Sequence, residues 1–429
     1  MGTDIDTKGL ALVELGDSGL QRSGGYILDE FLPALQGLRG RKIYREMADN
    51  DPVIGGMLFA IEHLVRSVSW SVQAGDDSPE AQRNAEFIET CMADMSHSFG
   101  DLIAEALTML VYGWSYHELV YKIRAGDQSD PRFRSRHVDG LVGWRKIPGR
   151  SQDTLDRWDL DDAGGVRAMV QYPPFGSVRT IPIEKALLFR TTKTRDNPEG
   201  RSTLRSAYRS WYLKKRIEKV EAIGIERDLA GIPLIRVPAE MLSESASAEQ
   251  KRTLDAFKRL GRNLRNDEQA AVVFPEARDE HGERLYDIEL LGRGGTSKQF
   301  DTSKVIDRYN RLIAMTVLAD FILLGHEKVG SFALSSDKTH LFATALGSFV
   351  GVIRDTMNQY AIPRLFALNP TLPGPQPKFV TGDIETPNLQ ELGAYVASLA
   401  GAGMDLFPDD ALESALRRAG DLPEKSRGA

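Results

Sequence analysis

"YGWSYHELVYK", residues 112–122, sets a serine, a histidine and a glutamate among aromatic residues beside a single glycine. The stretch reads either as a catalytic elbow or as a joint between a helix and a strand. A nucleophile elbow follows G-x-S-x-G on a strand-to-helix turn. Here the second glycine is missing and the order runs from helix to strand. On a strand, His117 and Glu118 project to opposite faces, so they cannot both serve Ser115. H-E-x-x-H is also absent, because His117-Glu118 leads to Tyr121. The joint is the better reading. Gly113 would cap the helix, since only glycine takes the left-handed conformation without penalty, and the aromatics would pack the helix on a sheet.

Upstream, "SFGDLIAEALTMLVYG" (98–113) predicts one helix with Leu102, Ile103, Ala106, Leu107, Leu110 and Val111 on its apolar face. "NDPVIGGMLFAIEHLVRSV" (50–68) predicts another. Asp51 suits its N-cap, Pro52 its first position, and Val53, Met57, Ile61, Leu64 and Val68 recur at helical spacing. Between them lie a short strand, "SWSVQAG", and a helix opened by "SPEAQR". Downstream, "SYHELVYKI" (115–123) alternates as one strand, with His117, Leu119, Tyr121 and Ile123 on one side. A β-rich stretch separated by Gly, Pro and Asp continues to about Arg190.

The pattern changes near Ser202. "TLRSAYRSWYLKKRIEKVEAIGIERDLAG" (203–231) predicts one long helix, stopped by Gly231 and Pro233. A strand "IPLIRVP", a helix, and the strands "AAVVFPE" and "LYDIELLG" follow. "SKVIDRYNRLIAMTVLADFILLG" (303–325) predicts a second long helix, with Ile306, Tyr309, Ile313, Val317 and Phe321 on its apolar face. A loop, "GHEKVGSFAL", leads to a third helix from Ser335, which Pro363 should kink or end. Residues 381–410 carry six acids and no Lys or Arg, and a short helix, "DDALESALRRAG", comes last.

At 429 residues the chain suggests roughly two to three domains. The start has early acids and no apolar core, so no signal peptide is expected. The longest uncharged apolar stretch, Leu341 to Ile353, falls well short of the ~20 residues that span a bilayer. The one cysteine, Cys91, excludes an internal disulfide and a Cys-based zinc site, and fits a reducing compartment. The net charge is −7. Proteins that grip nucleic acid along their whole surface are usually basic.

Other candidate chemistry is weak. "GRGGTSK" (292–298) fits neither G-x-x-x-x-G-K-[ST] nor G-x-G-x-x-G and reads as a turn. No histidine pair has metal-ligand spacing, and the acid pairs Asp161-Asp162 and Asp409-Asp410 sit in turn or cap contexts. No cofactor is expected. Two basic stripes stand out: Arg201, Arg205 and Arg209, four apart and followed by Lys214, Lys215, Arg216 and Lys219, and a second helix face of Lys251, Lys258, Arg262 and Arg265.

With this element order in view, the chain resembles the portal proteins of tailed bacteriophages, above all their Mu-like branch. The resemblance runs from about Asp51 to Asn369. It rests on "DPVIGGMLFAIEHLVRSVSWSV", "LTMLVYGWSYHELVYK", "IPIEKALLFRT" and "GRSTLRSAYRSWYLKK" in that order. It implies an α+β portal-type fold. Residues 1–25 would be a flexible arm, 26–202 a wing of helices and sheet, 203–230 the first stem helix and 231–296 an α/β clip. Residues 297–324 would be the second stem helix, 325–334 a tunnel loop, 335–380 the long helix with the wing return, and 381–429 a small helical crown and tail. It also implies a homo-oligomeric ring, typically a dodecamer, at the portal vertex of the virion, assembled in the host cytoplasm. Double-stranded DNA would pass through its channel. Its partners would be the large terminase subunit, a head–tail adaptor, and the major capsid and scaffold proteins, with no membrane and no catalysis. The tunnel loop would bring Gly325, His326, Glu327, Lys328 and Gly330 to the DNA, with Lys328 meeting phosphate. The Lys251, Lys258, Arg262 and Arg265 face would meet a clip partner or DNA. Two rivals are a soluble α/β phosphate- or nucleotide-binding enzyme using "GRGGTSK", and a ring-forming connector adaptor, for which the chain is long.

Overall fold

In a computed structural model of the chain, residues 19–162, 164–230, 232–265, 286–291, 301–316, 332–382, 396–398, 413 and 417 are described. The architecture is mixed helix and sheet, in two compact units: Met1–Tyr208 with Ile313–Ala429, and Arg209–Leu312.

The first unit opens with a hairpin of β1 (Arg22–Ser23) and β2 (Tyr26–Ile27). Helices α1 (Gly37–Asn50) and α2 (Pro52–Arg66) meet at Asp51. Its carboxylate accepts the amides of Val53 and Ile54 at 3.0 and 3.1 Å, the N-cap expected from the sequence. The apolar stripe of α2 differs slightly from expectation. Ile54, Met57, Ile61 and Val65 are buried, Val53 is half-buried and Leu64 is exposed. Spacings of three and four both fit a 3.6-residue turn, so packing against α1 and the helix that starts at Phe99 sets the phase.

Next come β3 (Trp70–Gln73), α3 (Pro79–Ala93), α4 (Phe99–Ala106) and α5 (Met109–Tyr112). The single helix expected over 98–113 is thus two pieces. Ser98 and Asp101 form a capping box at its start. Near the break, the Thr108 hydroxyl donates to the Glu105 carbonyl at 2.7 Å, a local bond that competes with the helical ladder.

The single strand expected over 115–123 is also two: β4 (Trp114–Glu118) and β5 (Val120–Ile123). They join different sheets. β4 lies between β11 (Ala186–Arg190) and β7 (Gly149–Arg150), while β5 pairs with β6 (Val142–Lys146). The β5–β6 register shifts between Val120 and Tyr121. The expected one-sided face therefore fails at its end: His117 and Leu119 are buried, but Ile123 is exposed.

β8 (Leu155–Leu160), β9 (Val166–Gln171) and β10 (Arg179–Pro182) form an antiparallel sheet. A core of Trp114, Tyr116, Leu155, Trp158, Met169, Ile181 and Ala186 joins it to β4 and β11. Trp158 meets Trp114 edge-on at 5.1 Å and Tyr116 at 5.9 Å. Aromatics of the opening stretch are thus the centre of the core.

Distant chain closes the first unit. Helix α9 (Phe332–Thr356) begins three residues before the expected Ser335. It passes through a π-turn (Met357–Ala361) into α10 (Ile362–Ala367), so the disturbance expected at Pro363 falls in the turn before it. Strand β14 (Lys378–Thr381) pairs antiparallel with β3. Asn369 bonds both the amide and carbonyl of Val142, at 2.8 and 2.9 Å, and Asn358 does the same for Phe379 at 2.7 and 3.0 Å.

In the second unit, helix α6 (Tyr208–Ala230) ends where Gly231 was expected to stop it. β12 (Ile232–Arg236) pairs antiparallel with β13 (Asp287–Leu291). Helix α7 (Ala248–Arg265) packs on β12, with Phe257 buried 5.5 Å from the Tyr286 ring. Helix α8 (Thr302–Met315) is tied to α6 by the Thr302 hydroxyl, which donates to the Glu221 carboxylate.

Candidate functional site

Gly113 closes α5 at φ +92°, its amide bonding the Met109 carbonyl at 2.6 Å. A Cβ there would stand 2.4 Å from the Glu199 carbonyl oxygen. Gly200, at φ +54°, faces it from the other side, where a Cβ would stand 2.4 Å from the Gly113 carbonyl. Two backbones approach so closely that neither admits a side chain. The incoming segment is the lead-in to α6. Thr191 donates its amide to Gly113 O at 3.0 Å, Ser202 its hydroxyl to Val111 O at 2.5 Å, and Thr203 its hydroxyl to Leu110 O at 2.8 Å. Carbonyls that a helix end leaves unpaired are satisfied by the segment that starts the next long helix. "VYGWSYHE" and "GRSTLRSAY", separate in sequence, thus form one structural joint.

The polar residues of the joint are engaged separately. The Ser115 hydroxyl donates to the Ala106 carbonyl at 2.9 Å. His117 is fully buried, its Nδ1 3.2 Å from the Ile147 carbonyl and its ring edge-on to Phe189 at 5.2 Å. Burial pushes its pKa down to about 4, so the ring is neutral at pH 7. Glu118 pairs with Arg150. The three groups share no hydrogen bond with one another, as the opposite-face argument anticipated. Among the described residues, no group of three or more His, Cys, Asp or Glu could hold a metal ion.

A second contact anchors the lead-in. Arg205 grips the Glu30 carboxylate with two nitrogens, at 2.5 and 2.9 Å, and its guanidinium lies 5.2 Å from the Phe31 ring centre. Burial alone would raise the Glu30 pKa. The Arg205 hydrogen bond, the Leu32 amide and the charges of Arg205 and Arg201 outweigh it, and the carboxyl lies below its usual range. Nearby, Glu199 accepts from the Trp158 indole at 3.2 Å, and burial raises its pKa against the pull of Arg41.

These contacts revise the first basic stripe. Arg201 lies in a loop, Arg205 in a 3-10 turn (Thr203–Arg205), and only Arg209 belongs to α6. The three arginines do not share a helix face, because Ser202 caps the short turn, accepting the Leu204 amide at 3.1 Å. Farther along, Lys214 is buried and 3.9 Å from Glu218, while Lys215 and Arg216 lie over the rings of Trp211 and Tyr212.

On α7, Lys251 donates to the Glu244 carbonyl at 3.0 Å and Lys258 stands 3.8 Å from Asp255, both exposed. Arg262 and Arg265 belong to the same helix, but their side chains fall outside the described part. Gly325, His326, Glu327, Lys328 and Gly330 lie outside the described residues, as do "GRGGTSK" and "AAVVFPE". The reading from sequence missed the Glu30 clamp and the hydroxyls of Ser202 and Thr203. The available signal was the Ser-Thr pair after Gly200, an N-cap pattern just ahead of a long helix.

The family model described as the portal protein of Mu bacteriophage matches residues 41–417. The chain belongs to that family, the structural proteins that form the port at one vertex of a phage capsid. The fold agrees. A chain in the "Virion of native gene transfer agent (GTA) particle" is 12% identical with a TM-score of 0.50, covering 90% of this chain and 93% of that one. A chain in the "Neck of empty GTA particle computed with C6 symmetry" is 13% identical with a TM-score of 0.51, covering 90% and 94%.

Proposed function

We propose that the chain assembles head-to-tail into a ring, a dodecamer, whose lumen passes double-stranded DNA during packaging and ejection. The family match over 41–417 carries this reading. In it, residues 26–202 are the wing, α6 and α8 belong to the two stem helices, residues 231–296 are the clip, and residues 381–429 are a small crown with the tail. A contact between two different faces of one chain, repeated by rotation, closes into a ring. Apolar groups without cover support that packing: Phe175 is 94% exposed, and Val220 and Ile225 on α6 are 69% and 54% exposed. A helix of α6's length, 23 residues, spans roughly 35 Å at 1.5 Å per residue, enough to line a channel wall. A chain of net charge −7 also suits a duct through which DNA slides, since dense phosphate contacts would act as a brake.

The ring has no catalysis of its own in this reading; ATP hydrolysis belongs to the terminase that docks on it. The segment ahead of α9, with Gly325, His326, Glu327, Lys328 and Gly330, faces DNA, with Lys328 nearest phosphate. Lys251, Lys258, Arg262 and Arg265 meet the terminase, a head–tail adaptor or DNA, and the wing meets the major capsid and scaffold proteins. Negative-stain electron microscopy with mass photometry tests the ring. Particles with a central hole and a mass near twelve times 47.6 kDa are expected. A stable monomer that binds nucleotide overturns the reading. Lys328→Ala should leave rings intact and change packaging or DNA retention; loss of rings would remove that loop from the lumen.

A further inference from the structure

The loop between β5 and β6 carries "DPRFRSRHVD", residues 130–139, with arginines at alternate positions. Lys122, Arg132, Arg134, Arg136 and Arg145 line a cavity of about 580 Å³, against only two carboxylates, Asp94 and Asp127. Lys122 and Arg132 are already paired, with Asp94 and Asp130, which leaves Arg134, Arg136 and Arg145 with the exposed Asp127 in a chain whose net charge is −7.

This cavity is braced from below. Lys122 and Asp94 form an ion pair at 2.8 Å, with each side chain only 5% exposed. The Lys122 ammonium also donates to the carbonyls of Asp94 and Arg134, at 2.6 and 2.7 Å. Asp94 accepts the Ser135 hydroxyl at 2.6 Å and the Arg136 amide at 2.9 Å, fixing the loop to the end of α3. Arg145 donates its Nε to the Arg132 carbonyl at 2.8 Å and lies over the Phe133 ring at 5.4 Å. The backbone that carries the arginines is therefore held in place by the buried Lys122–Asp94 pair and by Arg145.

The heads of the arginines differ. Arg132 is engaged by Asp130 through two nitrogens. Arg134 has a loose contact of 3.5 Å with Asp127, which is 93% exposed. The Arg136 guanidinium and the terminal nitrogens of Arg145 make no hydrogen bond or ion pair among the described residues. Planar guanidinium forks match carboxylates in two-point contacts, and the loop backbone needs no further ordering to present them.

We propose that this cavity is a docking site for an acidic segment of a partner protein, whose Asp or Glu side chains would pair with Arg134, Arg136 and Arg145. The exposed Asp127 beside Arg134 favours a peptide over a nucleic acid. A polyphosphate brings its charges in an unbroken row against it, whereas a peptide can place a neutral residue there. A cavity of this size also admits side chains and not a duplex. The proposal stands independently of the ring.

Fluorescence anisotropy of a labelled Asp/Glu-rich peptide with the full-length protein tests it, in low and in physiological salt. The Arg134→Ala/Arg136→Ala variant should bind about 10–100-fold more weakly, the loss expected when charge-assisted hydrogen bonds go. Arg83→Ala, an exposed arginine elsewhere in the first unit, should bind as the parent does. An unchanged thermal midpoint in the double variant would separate lost binding from lost fold. Equal binding by parent and double variant, or none by the parent, overturns the proposal. So does a short DNA duplex that binds at this loop and displaces the peptide, which would assign the site to nucleic acid.

Discussion

The joint around Gly113 and the helix α6 that rises from it adjoin in the chain and are opposite in character. At the joint Trp114, Tyr116, Trp158 and Phe189 are all but fully buried, and Ser115, His117 and Glu118 each have a partner. On α6, Val220 and Ile225 are mostly exposed and Lys214 is buried. The first region completes itself within one chain. The second leaves apolar side chains open to solvent. Burial at roughly 25 cal/mol per Å² of apolar surface makes the difference consequential. A region that satisfies itself can hold shape as a monomer, and one that does not gains by meeting a neighbour.

Substitutions can break this contrast. The largest effect should come from Gly113→Val. It combines a left-handed backbone with a Cβ 2.4 Å from Glu199 O, and a loss of about 3 kcal/mol or more is expected. Denaturant unfolding checks it, or failure to yield soluble protein; Gly113→Ala, which sets the same Cβ against Glu199 O, should share most of the loss.

His117 should impose the next effect through pH. Its folded pKa, about 4, lies below its value of 6.5 in the unfolded chain. Between these values the unfolded state binds the extra proton, so stability falls as pH drops from about 6.5 toward 4, by up to about 1.4 kcal/mol per unit. His117→Asn should flatten that slope in unfolding curves measured across the range. An unchanged slope would place the titration on another group.

Glu30→Gln should cost less, about 1 kcal/mol, because the pair with Arg205 is partly exposed. The Glu30 carboxyl is held below its ordinary range, so its contribution is present above pH ~4.5 and is lost as pH falls through the folded pKa. The gap between parent and variant in thermal midpoint should therefore close in acid.

Val220→Asp should change monomer stability least, within about 0.5 kcal/mol, because that position is already exposed. The same change should reduce ring formation in mass photometry. If the monomer unfolds instead, α6 is not waiting for a neighbour and the contrast between the two regions fails.

Much of the fold was legible because it rests on local chemistry. Asp51-Pro52 starts a helix wherever it stands, and Gly113 ends one by its conformational freedom. The strands from Val142 to Arg190 follow alternation between turn residues. The misreadings fall where a long-range partner decides. One expected helix became α4 and α5 at Thr108, and one expected strand became β4 and β5, which pair in different sheets. Arg201, Arg205 and Arg209 look like a stripe at a spacing of four, yet the segment is a loop and a 3-10 turn held by Val111, Leu110 and Glu30. Nothing in their spacing reports those partners.

By itself the sequence determined the starts and stops set by local caps, such as Asp51 and Gly113, the mixed helix-and-sheet class, the absence of a workable Ser-His-Glu arrangement at residues 115–118, and the likeness to portal proteins. These follow from caps, glycines and periodicity, which act within a few residues. Only the tertiary structure decided which carbonyls Ser202 and Thr203 would satisfy, that Arg205 is clamped by Glu30, and that Arg134, Arg136 and Arg145 surround one cavity. Those outcomes depend on segments up to 175 residues apart, and contacts at that range arise from shape and burial that no local pattern encodes.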